Sequence, residues 1–267
     1  MRLTERFPAL YHLRVAQLRL HRILRDTVRG TRFARTRAPG QLPVGLMRHQ
    51  SVLRRQLGNV DPQLQENKVT NLRIATATMD GLLIRPGETF AFWERVGMTT
   101  ARKGYLPGLL LRYGEADVGV GGGVCQLSNL LYWMALHTPL QVVERHHHSF
   151  DAFPDSLRVL PFGTGACVFY NYVDLRLYNP TELTFQINVR VTEEHLKGSI
   201  TADQEWPLAY RVVERNHRFV EQNGRRYREN EVWRLVTHRA SGELAVEEML
   251  MHNFCEVKYE LFGSPTA

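Results

Sequence analysis

Apolar residues from Ala9 to Val28 recur at three- and four-residue steps: Leu13, Ala16, Leu20, Ile23, Leu24 and Val28. That spacing predicts an amphipathic helix. Arg14, Arg22, Arg25 and Arg29 fall largely off the stripe. Two arrangements fit such a helix: the stripe docks on the protein body, or it lies in a membrane surface. Ala38-Pro39-Gly40-Gln41-Leu42-Pro43 interrupts the pattern and reads as a linker. Asn67 to Met79 mixes apolar and polar positions in a way that suits a second helix. Arg85-Pro86-Gly87-Glu88 reads as a turn leading into a short strand ending near Phe92, and Leu109 to Arg112 as another strand. After a glycine run from Gly119 to Gly123, Leu127, Leu130, Leu131 and Met134 share one face of a further helix, which ends near His137 to Pro139 because proline cannot continue it.

From Leu140 the period changes to two. Gln141-Val142-Val143 is strand-like, Ala166 to Leu177 alternates, and Phe185 to Val191 alternates again, with a turn at Asn179-Pro180-Thr181. The stretch from Tyr210 onward reads as more strands, with turns at Asn223-Gly224 and Ser241-Gly242. The expected class is α+β: a Cys-bearing helix against antiparallel strands, with a basic helical arm over residues 1–70, a central domain over 71–200 and a β-rich extension over 201–267.

Charge sharpens this division. The chain of 267 residues carries a net +7, yet Met1 to Arg55 holds 13 arginines against Glu5 and Asp26, a net +11, so the remainder is −4. Basicity on one segment points to an anionic partner: a membrane surface, nucleic acid or an acidic face of the same fold. Few aromatics interleave the arginines and no nucleic-acid module follows, so nothing specific points to nucleic acid. No run of apolar residues is long enough for a membrane span, and the first residues lack the apolar core of a signal peptide. The expected location is therefore the cytoplasm, at the inner membrane face if the arm binds lipid.

Candidate chemistry centres on Gly121-Gly122-Gly123-Val124-Cys125-Gln126. A glycine loop here delivers a cysteine to a helix start, where backbone N–H groups and the helix dipole favour a thiolate. The same N–H groups suit the oxyanion of a tetrahedral intermediate, and the glycines admit a substrate close to the backbone. A phosphate-binding loop is the competing reading, although the Walker spacing is absent. A thiolate nucleophile needs a base, and His146 and His148 share one face of a strand while His147 takes the other. That run also suits a surface cluster, or zinc with Cys125, but no further thiol or carboxylate is obviously placed. Cys167 and Cys255 read as small buried hydrophobes. No cofactor and no metal are implied.

With these residues in view, the sequence resembles the VanW family. The matching stretches are Arg85 to Phe92 with Val96-Gly97, Lys103-Gly104-Tyr105, Gly119 to Gln126, Glu144 to Ser149, and Val173-Asp174-Leu175 with Asn179. The flanking Leu57 to Lys68 is similar to the short, stand-alone branch of that family. The resemblance implies a setting in glycopeptide resistance and the cell wall. It also implies, from exported multidomain members that act as cysteine L,D-transpeptidases, a nucleophile at Cys125 and a base at His146 or His148. Gly121, Gly122, Gly123 and Gln126 would then shape the substrate and oxyanion site, and Asp174 would orient the base or serve the structure. The expected partner is a peptidoglycan stem peptide or precursor. The alternative is a non-catalytic module that binds a wall precursor or a glycopeptide. One departure concerns the residue before Ala166, an Asp in many members and Gly165 here.

Overall fold

The computed structural model describes residues 8–54, 61–112, 115–147, 150–151 and 160–257. It is α+β, as the periodicities predict. Helix α1 (Pro8–Val28) precedes strand β1 (Val44–Val52), helix α2 (Pro62–Ala77), and strands β2 (Leu82–Ile84) and β3 (Thr89–Ala91). A short helix α3 (Phe92–Val96) and a 3-10 turn (Ala101–Lys103) lead to a two-stranded ribbon, β4 (Pro107–Arg112) and β5 (Glu115–Val120). Helix α4 (Cys125–Ala135) follows, then β6 (Gln141–Glu144), β7 (Phe150–Asp151), β8 (Arg176–Tyr178), β9 (Phe185–Val191) and β10 (His195–Ala202). Three long strands close the chain: β11 (Leu208–Gln222), β12 (Arg225–His238) and β13 (Leu244–Val257).

The central sheet has the order β1-β10-β9-β2, with every neighbouring pair antiparallel. Phe185, Ile187 and Val189 alternate along β9 and are buried, as the period of two requires. Helices α2 and α4 supply the opposing side of the core through Val69, Leu72, Ala75, Leu127, Leu130, Leu131 and Met134. Beside this sheet lies a smaller one, β3-β8-β6, which carries the strand leading to His146. The long strands form a second antiparallel sheet, with β7 added in parallel to β13. Its first hairpin turns at Asn223-Gly224, where φ is 52° and 69°. Both positive values suit the tight turn expected of that pair.

Several sequence expectations need adjustment. Helix α2 begins at Pro62 rather than Asn67, because Asp61 caps it: its carboxylate accepts from Gln63 N at 2.8 Å, and Pro62 takes the first helical position. That polar first turn carries no hydrophobic period, so it is invisible to periodicity. The 38–43 linker is not loose. Gln186 is fully buried on β9, accepts from Leu42 N at 2.9 Å and donates to Gly40 O at 2.8 Å, which leads the chain into β1 and the central sheet.

The alternating stretch Ala166 to Leu177 is not a continuous strand. Regular strand covers only its end, in β8, and Phe169 and Val173 instead close a tight turn through reciprocal backbone bonds of 2.8 and 3.1 Å. The carbonyls that a sheet ladder would have used are taken by side chains: Arg19 Nε donates to Tyr170 O, Arg22 Nη2 to Tyr172 O and Trp93 Nε1 to Val173 O. Helix α1 forms as expected, but Leu13, Leu20, Leu24 and Val28 remain exposed, so its stripe does not dock on the body. Among the described residues, no helix is long and apolar enough to cross a membrane.

Candidate functional site

Cys125 is the first residue of α4. The residue before it, Val124, is itself helical and offers no side-chain cap. The first turn instead continues from the glycine loop, with Gln126 N donating to Gly123 O at 3.1 Å and Leu127 N to Val124 O at 3.0 Å. Those two N–H groups are therefore used within the chain. Cys125 is half-buried and packs against the hydrophobic core. Burial pushes the thiol above its ordinary pKa, and backbone hydrogen bonding from Val168 and from Cys125 itself offsets only part of that. The resting group is a thiol, with Sγ 3.9 Å from the Val168 carbonyl oxygen.

The glycines before it are packed against the protein's own chain. Gly121 and Gly123 have φ of 83° and 90°, which disfavours any residue with a Cβ. A Cβ on Gly122 would lie 2.1 Å from the Gly108 backbone, one on Gly121 2.3 Å from Thr99 Oγ1, and one on Gly123 2.2 Å from the Lys68 side chain. Asn71 Nδ2 fixes the loop further by donating to Gly122 O at 2.9 Å. The close approach the sequence suggests is thus used by β4, α2 and the loop after α3. Gln126 Nε2 donates to Ser51 Oγ and Val52 O, both at 2.9 Å, and ties α4 to the end of β1.

His146 follows β6. Its carbonyl accepts from Cys167 N at 2.8 Å, and its backbone forms an isolated antiparallel bridge with Cys167. Segment 166–168 is therefore common ground. His146 pairs with its middle residue, Cys125 Sγ approaches the carbonyl of its last, and Ser128 Oγ of α4 donates to the Ala166 carbonyl at 2.6 Å. Cys167 is buried, and burial chiefly pushes its thiol up to about 12. His147 is exposed, and His148 lies outside the described residues.

The imidazole of His146 has a partner that sequence reasoning left without a role. Its Nε2 is 3.0 Å from Glu144 Oε1. Glu144 sits two residues back, and period-two spacing puts both side chains on one face. Glu144 also receives a bidentate pair of bonds from Arg22 of α1, and Asp174 N at 3.1 Å. Burial alone would raise the Glu144 carboxyl, but the bonds from His146 and Arg22, with the charges of Arg22 and Arg176, hold it at about 2. It is a carboxylate throughout the physiological range.

Asp174 faces elsewhere. It is buried, its Oδ1 accepts from Trp93 N at 3.1 Å and Leu175 N at 3.0 Å, and its Oδ2 accepts from Arg176 Nε at 3.0 Å. Burial raises its pKa to about 6 against the pull of Arg176. Arg176 in turn holds Asp26 of α1 through two bonds of 2.7 Å. Gly165 offers its carbonyl to Arg145 Nε at 2.8 Å, and a Cβ there would meet Asn129 Oδ1 at 3.5 Å. Among the described residues, no group of three or more His, Cys, Asp or Glu is placed to hold a metal ion.

The motif stretches that frame Cys125 and His146 fall inside residues 67–201, which match the family model described as VanW like protein. The chain belongs to the VanW family. It is 34% identical over 260 residues to the vancomycin B-type resistance protein VanW of Enterococcus faecalis (strain ATCC 700802 / V583), covering 97% of this chain and 94% of that protein. A second similarity, 35% identity over 109 residues, is to the YoaR protein of Bacillus subtilis (strain 168) and covers 41% of this chain and 34% of that one. No solved structure matches the chain. The near end-to-end match to the enterococcal protein extends well beyond the VanW-like segment itself and takes in both α1 and the long C-terminal strands.

Proposed function

We propose that this VanW-family chain is a cysteine acyl transferase acting on the peptide part of bacterial wall material. The observation that carries this reading is the shared docking of Cys125 and His146 on segment 166–168, with Glu144 behind the imidazole. A carboxylate accepting from Nε2–H fixes the neutral ring in the tautomer whose Nδ1 lone pair is free to take a proton. Glu144 takes the orienting role, and Asp174 takes the structural one of the two roles open to it, supporting the fold beneath the site.

The chemistry follows from the protonation states. The Cys125 thiol is neutral at rest, so its proton moves to His146 Nδ1 as the sulfur attacks the carbonyl carbon of a D-Ala-type amide. The tetrahedral intermediate collapses, the C–N bond breaks, and the imidazolium returns its proton to the leaving amine. The acyl group stays on Cys125 as a thioester until an acceptor amine or water attacks it and restores the thiol. The resistance context of the enterococcal relative supports wall peptide as the substrate class.

Intact-mass measurement after incubation with a synthetic stem tetrapeptide ending in D-Ala tests the proposal. The expected adduct is the peptide less its terminal D-Ala, carried on Cys125, absent in Cys125→Ala and retained in Cys167→Ala. His146→Ala should slow its formation by roughly 10²–10⁴-fold. The raised thiol favours a second reading, a binding module in which Cys125 is structural. No adduct, with peptide binding equal in wild type and Cys125→Ala, would establish that reading and overturn the first.

A further inference from the structure

Helix α1 is mounted with its polar face inward. Arg22, 7% exposed, reaches Glu144, Asp26 pairs with Arg176, and Arg19 bonds the Tyr170 carbonyl. The opposite face holds Leu10, Leu13, Leu20, Ile23, Leu24 and Val28, exposed by 44%, 66%, 57%, 55%, 55% and 86%. At 3.6 residues per turn these positions span an arc of about 140° along a rod about 30 Å long. A helix that only served this body would turn that arc inward. Gln17 and Thr27 are the exposed polar residues within that arc, which is otherwise apolar, and an exposed apolar face of this kind marks a contact site.

Charge identifies the occupant. Arg14 is exposed on the helix, Arg29 and Arg32 are exposed just after it, and the surrounding segment to Arg55 is strongly basic while the rest of the chain is acidic. An apolar face bordered by arginines fits the boundary between headgroups and acyl chains of an anionic bilayer. We infer that α1 is a membrane-surface helix, lying in the plane of an anionic lipid leaflet and held to the body by the Arg22–Glu144 and Asp26–Arg176 pairs. Those pairs make the attachment rigid, and Glu144 links it directly to His146.

Sedimentation of the full chain with vesicles tests it. Vesicles of phosphatidylglycerol and phosphatidylcholine should carry the protein down, and phosphatidylcholine alone should do so far less. Neutralising Arg14 and Arg29 together, as Arg14→Gln with Arg29→Gln, should weaken binding about 25-fold, about five-fold for each charge. Leu20→Glu with Leu24→Glu should abolish sedimentation while leaving circular dichroism and melting unchanged, since both side chains are exposed. Undiminished sedimentation of that double variant would overturn the inference. So would a wild type that ignores anionic vesicles, or a wild-type dimer in sedimentation velocity that the same double variant dissociates, which would assign the face to a second copy.

Discussion

Glu144→Gln removes one negative charge from the junction of α1, β6 and His146 and keeps the side chain's shape. In the fold the carboxylate sits at about 2 against an ordinary 4.5, a difference that corresponds to about 3 kcal/mol. Its side chain is only 12% exposed, so solvent screening takes little from that figure. It is an upper value, because three arginines share the cluster and Arg22 already holds the Tyr172 carbonyl as a second partner. For a chain of this length, about 3 kcal/mol lowers Tm by roughly 6–12 °C. The folded pKa lies below the ordinary one, so the contribution is complete above pH 4.5 and fades as pH falls toward 2. Melting curves of wild type and Glu144→Gln from pH 7 down to pH 2.5 should therefore show a gap that is widest at neutral pH and narrows through the acid range. Equal stability at pH 7, or a gap that stays constant down to pH 2.5, would refute the view that ionised Glu144 braces this junction.

Two further outcomes follow from the site. The Cys125 thiol is raised by burial, so alkylation by iodoacetamide should be slow at pH 7 and accelerate as pH passes 9, while Cys125 still reacts before the buried Cys167 and Cys255; fast, pH-independent labelling at neutrality would mean a preformed thiolate. Gly122→Ala forces a Cβ into the Gly108 backbone and should cost on the order of 3 kcal/mol in denaturant unfolding, whereas Gly45→Ala, with open space around it and no positive φ, should stay within about 0.5 kcal/mol.

Local rules carried much of this architecture. Helices α1 and α4 and strands β6 and β9 follow directly from apolar spacing, and the Asn223-Gly224 hairpin follows from turn chemistry, because each depends on residues within one or two turns of each other. The motif around Cys125 was likewise legible, including its position at the start of a helix. What surrounds that motif was not. Glycine content says that something approaches closely; only the packing showed that Gly108, Thr99 and Lys68 fill the space where a Cβ would lie.

The same limit applies to α1 and to the carboxylate beside His146. Periodicity defines a helix's two faces but not which one turns inward. That was decided by Glu144, 122 residues from Arg22, and by Arg176, 150 residues from Asp26, whose buried charges needed partners of opposite sign. Asp174 and Glu144 are both acidic residues within family motifs, and chain position cannot rank them. Tertiary structure separated their surroundings by enclosing Asp174 beneath Trp93 and Arg176 and placing Glu144 against the imidazole, so burial and neighbouring charge set one at about 6 and the other at about 2.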